Sequence, residues 1–91
     1  MYVCPCCEFL TLSEKERGSF EICDVCGWED DNVQYEDSSY SGGANKVCLN
    51  EAKKNFKLIF AIDLNALSFT RKPQKVEIPQ KILNELERKQ K

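Results

Sequence analysis

A small α+β fold is predicted for this chain of 91 residues by three observations: two Cys-x-x-Cys knuckles near the start, β-type segments between them, and one amphipathic stretch at helical spacing. The expected architecture is a pair of knuckles on a short antiparallel sheet, one main helix laid over it, and a short C-terminal helix. A chain of this length buries only about 60 to 65% of the surface its unfolded form exposes, so an apolar core alone leaves it marginal. Something beyond packing is expected to hold it.

The elements follow in chain order. After Cys4, Cys6 and Cys7 come Glu8-Phe9-Leu10-Thr11-Leu12, a polar link over Ser13 to Gly18, and Ser19-Phe20-Glu21-Ile22, which runs into Cys23 and Cys26. Alternation in both arms and the glycine in the link predict a hairpin that joins the knuckles. Glu29 to Lys46 is polar, rich in Asp, Ser and Gly, and reads as loop. From Cys48 onward Leu49, Ala52, Phe56, Ile59 and Phe60 recur with the helical period, and the stripe continues through Asp63 to Leu64 and Leu67. Cys48 and Glu51 have the spacing of a capping box, with a weakly bonding thiol where a hydroxyl should stand. Arg71-Lys72-Pro73 ends the pattern. Pro79 suits the first turn of a final helix with Ile82, Leu83 and Leu86 on one face. The division expected is a cysteine-rich domain over 1–73 and a basic helical tail over 74–91.

Composition narrows the chemistry. The net charge of −2 is unevenly spread: residues 1–70 hold six Lys/Arg against twelve Asp/Glu, and residues 71–91 hold seven against three. An acidic body repels phosphate, which disfavours nucleic-acid binding by the body. The longest apolar run, Leu58 to Ile62, is far short of the roughly 20 residues of a membrane span. Met1-Tyr2-Val3 leads into Cys4 without a signal-peptide pattern, so the expected compartment is the cytoplasm, where thiols stay reduced and clustered cysteines more often mean metal than disulfides. There is no histidine, so any soft ligands must be thiolates.

Cys4, Cys7, Cys23 and Cys26 form two pairs, each with two intervening residues, and a turn of that length aims both sulfurs at one ion. Two pairs complete a tetrahedron, the ligand set of a structural zinc ribbon, closed to water. Pro5 presets a backbone angle in the first knuckle and Gly27 permits the tight geometry after the second. A disulfide or thiol redox pair is the alternative. Cys6 breaks the two-residue spacing and reads as a bystander to the ion. Cys48, at a helix start, reads as a small half-buried residue, with a reactive thiol the alternative. One zinc ion per chain is expected; iron in a rubredoxin-like centre uses the same ligands.

These residues also carry a resemblance. The run CPCCEFLTL, the segment FEICDVCGWEDD, the loop SYSGGAN and the helix start LNEAKKNF together resemble the bacterial cysteine-rich CPCC family, over about residues 3 to 60 and on toward Arg71-Lys72-Pro73. The resemblance implies a zinc-binding domain with its metal at Cys4, Cys7, Cys23 and Cys26, and implies no activity. Cys48, where Ser is usual, and the tail after Pro73 depart from the pattern.

Trp28 is expected to pack over the site or the helix. Glu29, Asp30, Asp31, Glu36 and Asp37 fit no twelve-residue calcium loop and read as a solvated acidic face. With Tyr35 and Tyr40 among them they also suit docking to a basic protein. Ser41 to Asn45 lacks the Lys-Ser/Thr of a phosphate loop and reads as a turn. Without histidine, or a nucleophile beside an activator, an enzyme is not expected. Three functions follow: a metal-stabilised protein-interaction module, such as an immunity protein against a basic toxin; a nucleic-acid-binding ribbon acting through Arg71, Lys72, Lys75, Arg88 and Lys89; or an iron electron carrier.

Overall fold

The computed structural model describes residues 1–89, and its architecture is the small α+β type with a two-stranded antiparallel sheet. Leu10–Leu12 (β2) pairs with Tyr2–Val3 (β1), Tyr2 opposite Leu12 and Val3 opposite Leu10, with a bulge between Tyr2 and Val3. The hairpin expected across Ser13 to Gly18 is therefore corrected. β2 finds its partner on the other side of the first knuckle, and the Ser19 to Ile22 arm runs beside Glu29 and Asp30. That second ladder consists of the Phe20 N–H on the Asp30 carbonyl, the Asp30 N–H on the Glu21 carbonyl, both 2.9 Å, and a bridge between Ile22 and Glu29. The reason is local: a Cys-x-x-Cys turn itself reverses the chain, so it delivers its own flanks side by side and acts as the turn of a hairpin.

The polar segment expected to be loop contains helix α1, Asn32–Glu36. Asp31 starts it, one carboxylate oxygen accepting from the N–H groups of Val33 at 2.8 Å and Gln34 at 3.2 Å. Gln34 is fully buried: its Nε2 donates to the carbonyls of Tyr40, Asn45 and Val47, and its Oε1 accepts from the backbone and side-chain nitrogens of Asn45. The Asn45 amide in turn bonds both the N–H (2.9 Å) and the carbonyl (2.8 Å) of Glu29, as the peptide of a neighbouring strand would. Polar side chains thus do here what a third strand and a small core would do elsewhere.

Helix α2, Leu49–Ile59, buries Leu49 and Ala52 and lays Phe56 and Ile59 half-buried on the core. Cys48 stands at its N-cap and makes no side-chain cap bond, as expected of a thiol. The helix stops at Phe60, whose left-handed backbone (φ 64°) returns its N–H to the Phe56 carbonyl. The stripe expected to run on to Leu67 is corrected: Leu64 is 75% and Leu67 46% exposed. The chain instead doubles back over the second knuckle. Ile62 donates to the Cys26 carbonyl at 2.9 Å, a short 3-10 turn follows at Asn65–Ser68, and Arg71 donates to the Asp24 carbonyl at 3.0 Å. This strap satisfies carbonyls that the knuckle turns outward.

Beyond it a 3-10 turn at Lys75–Glu77 packs on β2, and Glu77 is buried with both oxygens on the Arg71 guanidinium at 2.8 and 2.9 Å. Helix α3, Gln80–Lys89, begins after Pro79, whose carbonyl accepts the first helical N–H groups. No helix among the described residues is long and apolar enough to cross a membrane.

Candidate metal centre

Both knuckles are built the same way. The Cys4 carbonyl accepts the Glu8 N–H and the Cys4 N–H donates to the Phe9 carbonyl, each at 2.9 Å; the Cys23 carbonyl accepts the Gly27 N–H at 2.8 Å and the Cys23 N–H donates to the Trp28 carbonyl at 2.9 Å. The residue after the second cysteine of each pair is left-handed, Glu8 at φ 68° and Gly27 at φ 88°. That conformation turns the chain out of the knuckle and leaves both sulfurs of a pair on its inner side.

Face to face, the two knuckles bring the Sγ atoms of Cys4, Cys7, Cys23 and Cys26 within 4.8 Å of one another, all four residues buried. Cys4 and Cys26 are 3.6 Å apart and Cys7 and Cys23 3.7 Å. Sulfurs about 2.3 Å from a tetrahedral ion lie about 3.8 Å from each other, so the separations fit one metal held by four thiolates. The Thr11 hydroxyl lies 2.9 Å from the Cys23 sulfur and the Trp28 N–H 3.4 Å from that of Cys26, donors suited to thiolate acceptors.

The electrostatics point the same way. Hydrogen bonds from Cys26, then Cys4 and Cys7, with a further one from Thr11, drive the Cys23 thiol below its ordinary range. Cys7 and Cys26 are driven above theirs, each chiefly by its bond to Cys23. One buried thiolate is solvated by its neighbours, while several crowded together repel unless a cation joins them. A bound dication would supply that charge and leave all four sulfurs ionised. Such a site is closed on every side and offers no vacant position for a reacting group.

Cys6 is buried but outside the four-sulfur group, and Cys48 is half-buried at the start of α2, far along the chain. Trp28 is fully buried in the same core as the four cysteines, its Nε1 without a hydrogen-bond partner. The acidic segment divides. Asp30 is fully buried, accepting from Arg17 Nη1 at 3.1 Å, the N–H groups of Gly18 and Ser19, and the Ser19 hydroxyl at 2.8 Å. Asp31 caps α1 and takes the Ala44 N–H at 2.9 Å, the chief cause holding its carboxyl below the usual range. Neither is a solvated face, because their oxygens are committed inside the fold. Glu36, Asp37, Tyr35 and Tyr40 do lie on the surface.

Thr11 and the Arg71–Glu77 pair escaped the reading of the sequence. Thr11 looks like an ordinary strand residue, and nothing in the order of residues 71–77 marks Glu77 as buried.

The family model described as Cysteine-rich CPCC matches residues 2–77 of the chain. No curated protein matches it.

Proposed function

On the premise that this chain belongs to the cysteine-rich CPCC family, we propose that it is a non-enzymatic protein-interaction module folded around one structural zinc ion held by Cys4, Cys7, Cys23 and Cys26. The observation that carries this reading is the buried cluster of four sulfurs at tetrahedral separations. Zinc is favoured because a closed thiolate site with no histidine suits a redox-inert borderline-soft ion, and reduced thiols suit a cytoplasmic setting. Iron at the same ligands would make the protein a one-electron carrier.

The interaction half of the proposal rests on the surface left after Asp30 and Asp31 are withdrawn into the fold. Tyr35 and Tyr40, with Glu36 and Asp37 beside them, offer aromatic contact area and negative charge to a basic protein. A basic toxin neutralised by this chain is one such partner.

Native mass spectrometry with elemental analysis, on protein purified reduced and without chelator, tests the whole reading. One zinc per chain is the expected result, with any bound protein visible as added mass. One iron and a coloured protein would replace the module with an electron carrier, and a metal-free chain would return the four cysteines to thiol redox chemistry.

A further inference from the structure

A groove of about 580 Å³ lies between α2 and the strap, floored and walled by Phe9, Phe56, Ile59, Phe60, Leu67 and Pro73. Phe56 meets Phe9 and Phe60 edge-to-face, at 6.3 and 6.0 Å between ring centres, so the aromatic wall is ordered by its own contacts. Phe60 is nonetheless 71% exposed, and Leu67 on the opposite wall is also open to solvent. Open apolar side chains on both walls of one groove form a contiguous apolar surface, and such a surface marks an interaction site.

The chain segment that supplies most of the groove's walls is opposite in charge to the segment before it. Residues 1–48 hold three Lys/Arg against ten Asp/Glu, whereas residues 49–73, which build α2 and the strap, hold five against two. Arg71 is neutralised by Glu77, but Lys53 and Lys57, each three residues before a groove phenylalanine, and Lys72 on the rim form no ion pair among the described residues. The groove is therefore apolar at its base, with Lys72 on its rim and Lys53 and Lys57 on the helix that forms one wall. The strands are only two and three residues long, too short to recruit a partner strand.

We propose that this groove docks an amphipathic helix of a partner protein, with leucine-type anchors along one face and Asp/Glu flanking it. The apolar face fills the space between Phe9, Phe56 and Leu67, and the flanking carboxylates meet Lys53, Lys57 and Lys72. This surface differs in chemistry from the acidic tyrosine edge, and its occupancy does not depend on what that edge binds. A concave site favours a helix over a flat anionic membrane, and the mixed charge of α3, with Lys81 and Arg88 beside Glu85 and Glu87, makes a second copy's tail the poorer occupant.

The test uses the metal-loaded full chain and a fluorescent synthetic helix carrying Leu at i, i+3, i+4 and i+7 with Glu on both flanks. Anisotropy should show saturable binding that weakens with salt, and a peptide with Lys in place of Glu should bind at least about tenfold more weakly. Leu67→Asp and Lys72→Glu, both at exposed positions, should each weaken the acidic peptide severalfold while far-UV circular dichroism stays unchanged. Equal binding of the two peptides, or indifference to both substitutions, overturns the proposal. So does binding of anionic phosphatidylglycerol vesicles through the same residues without binding of the peptide. A concentration-dependent dimer abolished by Leu83→Asp would likewise overturn it, giving the groove to a second copy.

Discussion

Among the four proposed ligands, Cys23 has its buried sulfur met by both the Thr11 hydroxyl and the Cys7 sulfur. Metal binding in small thiolate domains is worth about 10 to 16 kcal/mol, more than the whole stability of most domains this size. Cys23→Ser should therefore abolish stoichiometric metal and cooperative thermal unfolding, whereas Cys6→Ser should keep both, as read by elemental analysis and circular dichroism. Identical behaviour of the two variants would dismiss the proposed ligand set. Asp31 supports a pH prediction. Its folded carboxyl lies below the unfolded value of 3.8, so its contribution is complete above that value and is lost as pH falls through the folded one. Asp31→Asn should lower stability at neutral pH and flatten the acid limb of the stability curve, with the metal content of both proteins followed at each pH so that release of the ion is not counted as loss of Asp31. A parallel acid limb would show that the Ala44 and α1 hydrogen bonds do not discriminate charge.

The two knuckles are equivalent elements with unequal residues at the left-handed position. A side chain there costs about 1 to 2 kcal/mol, and glycine costs about 0.5 to 1 kcal/mol in unfolded-chain entropy, so Glu8→Gly should stabilise by roughly 0.5 to 1 kcal/mol. Gly27→Ala goes the other way. Its backbone is at φ 88° and the added carbon would come to 2.8 Å from the Ala66 Cβ in the strap, so a loss of at least about 2 kcal/mol is expected in denaturant titrations. In the polar segment, Gly43 is required by space alone: a Cβ would meet Asp31 Oδ2 at 2.5 Å and Gln34 Cδ at 2.7 Å. These positions explain what escaped the sequence. Helix α1 is held by Asp31, Gln34 and Asn45, residues whose composition reads as loop because their partners are backbone groups distant in the chain. The end of α2 at Phe60 was hidden for a related reason, since an apolar residue took a position where glycine is the usual signal.

For the molecule as a whole, the metal site and the small core are one structure. Cys4, Cys23, Cys26, Trp28, Leu12 and Ala52 are all fully buried, and no second core stands apart from them among the described residues. A strong chelator should thus unfold the entire domain in one transition, tertiary and helical signals disappearing together; helix α2 surviving metal removal would contradict this. Ending the chain at 77 should leave the melting temperature near that of the full chain, while ending it at 73 removes Glu77 from Arg71 and β2 and should lower it. The order of residues alone determined the four cysteines that meet, the start and apolar face of α2, and the α+β class, because spacing within a turn and periodicity within a helix are local properties. Which strand pairs with which, how α1 is held, where the chain turns back after α2, and the formation of an apolar groove were decided only in three dimensions. Each depends on groups far apart in the chain whose hydrogen bonds and charges acquire partners only when the knuckles close.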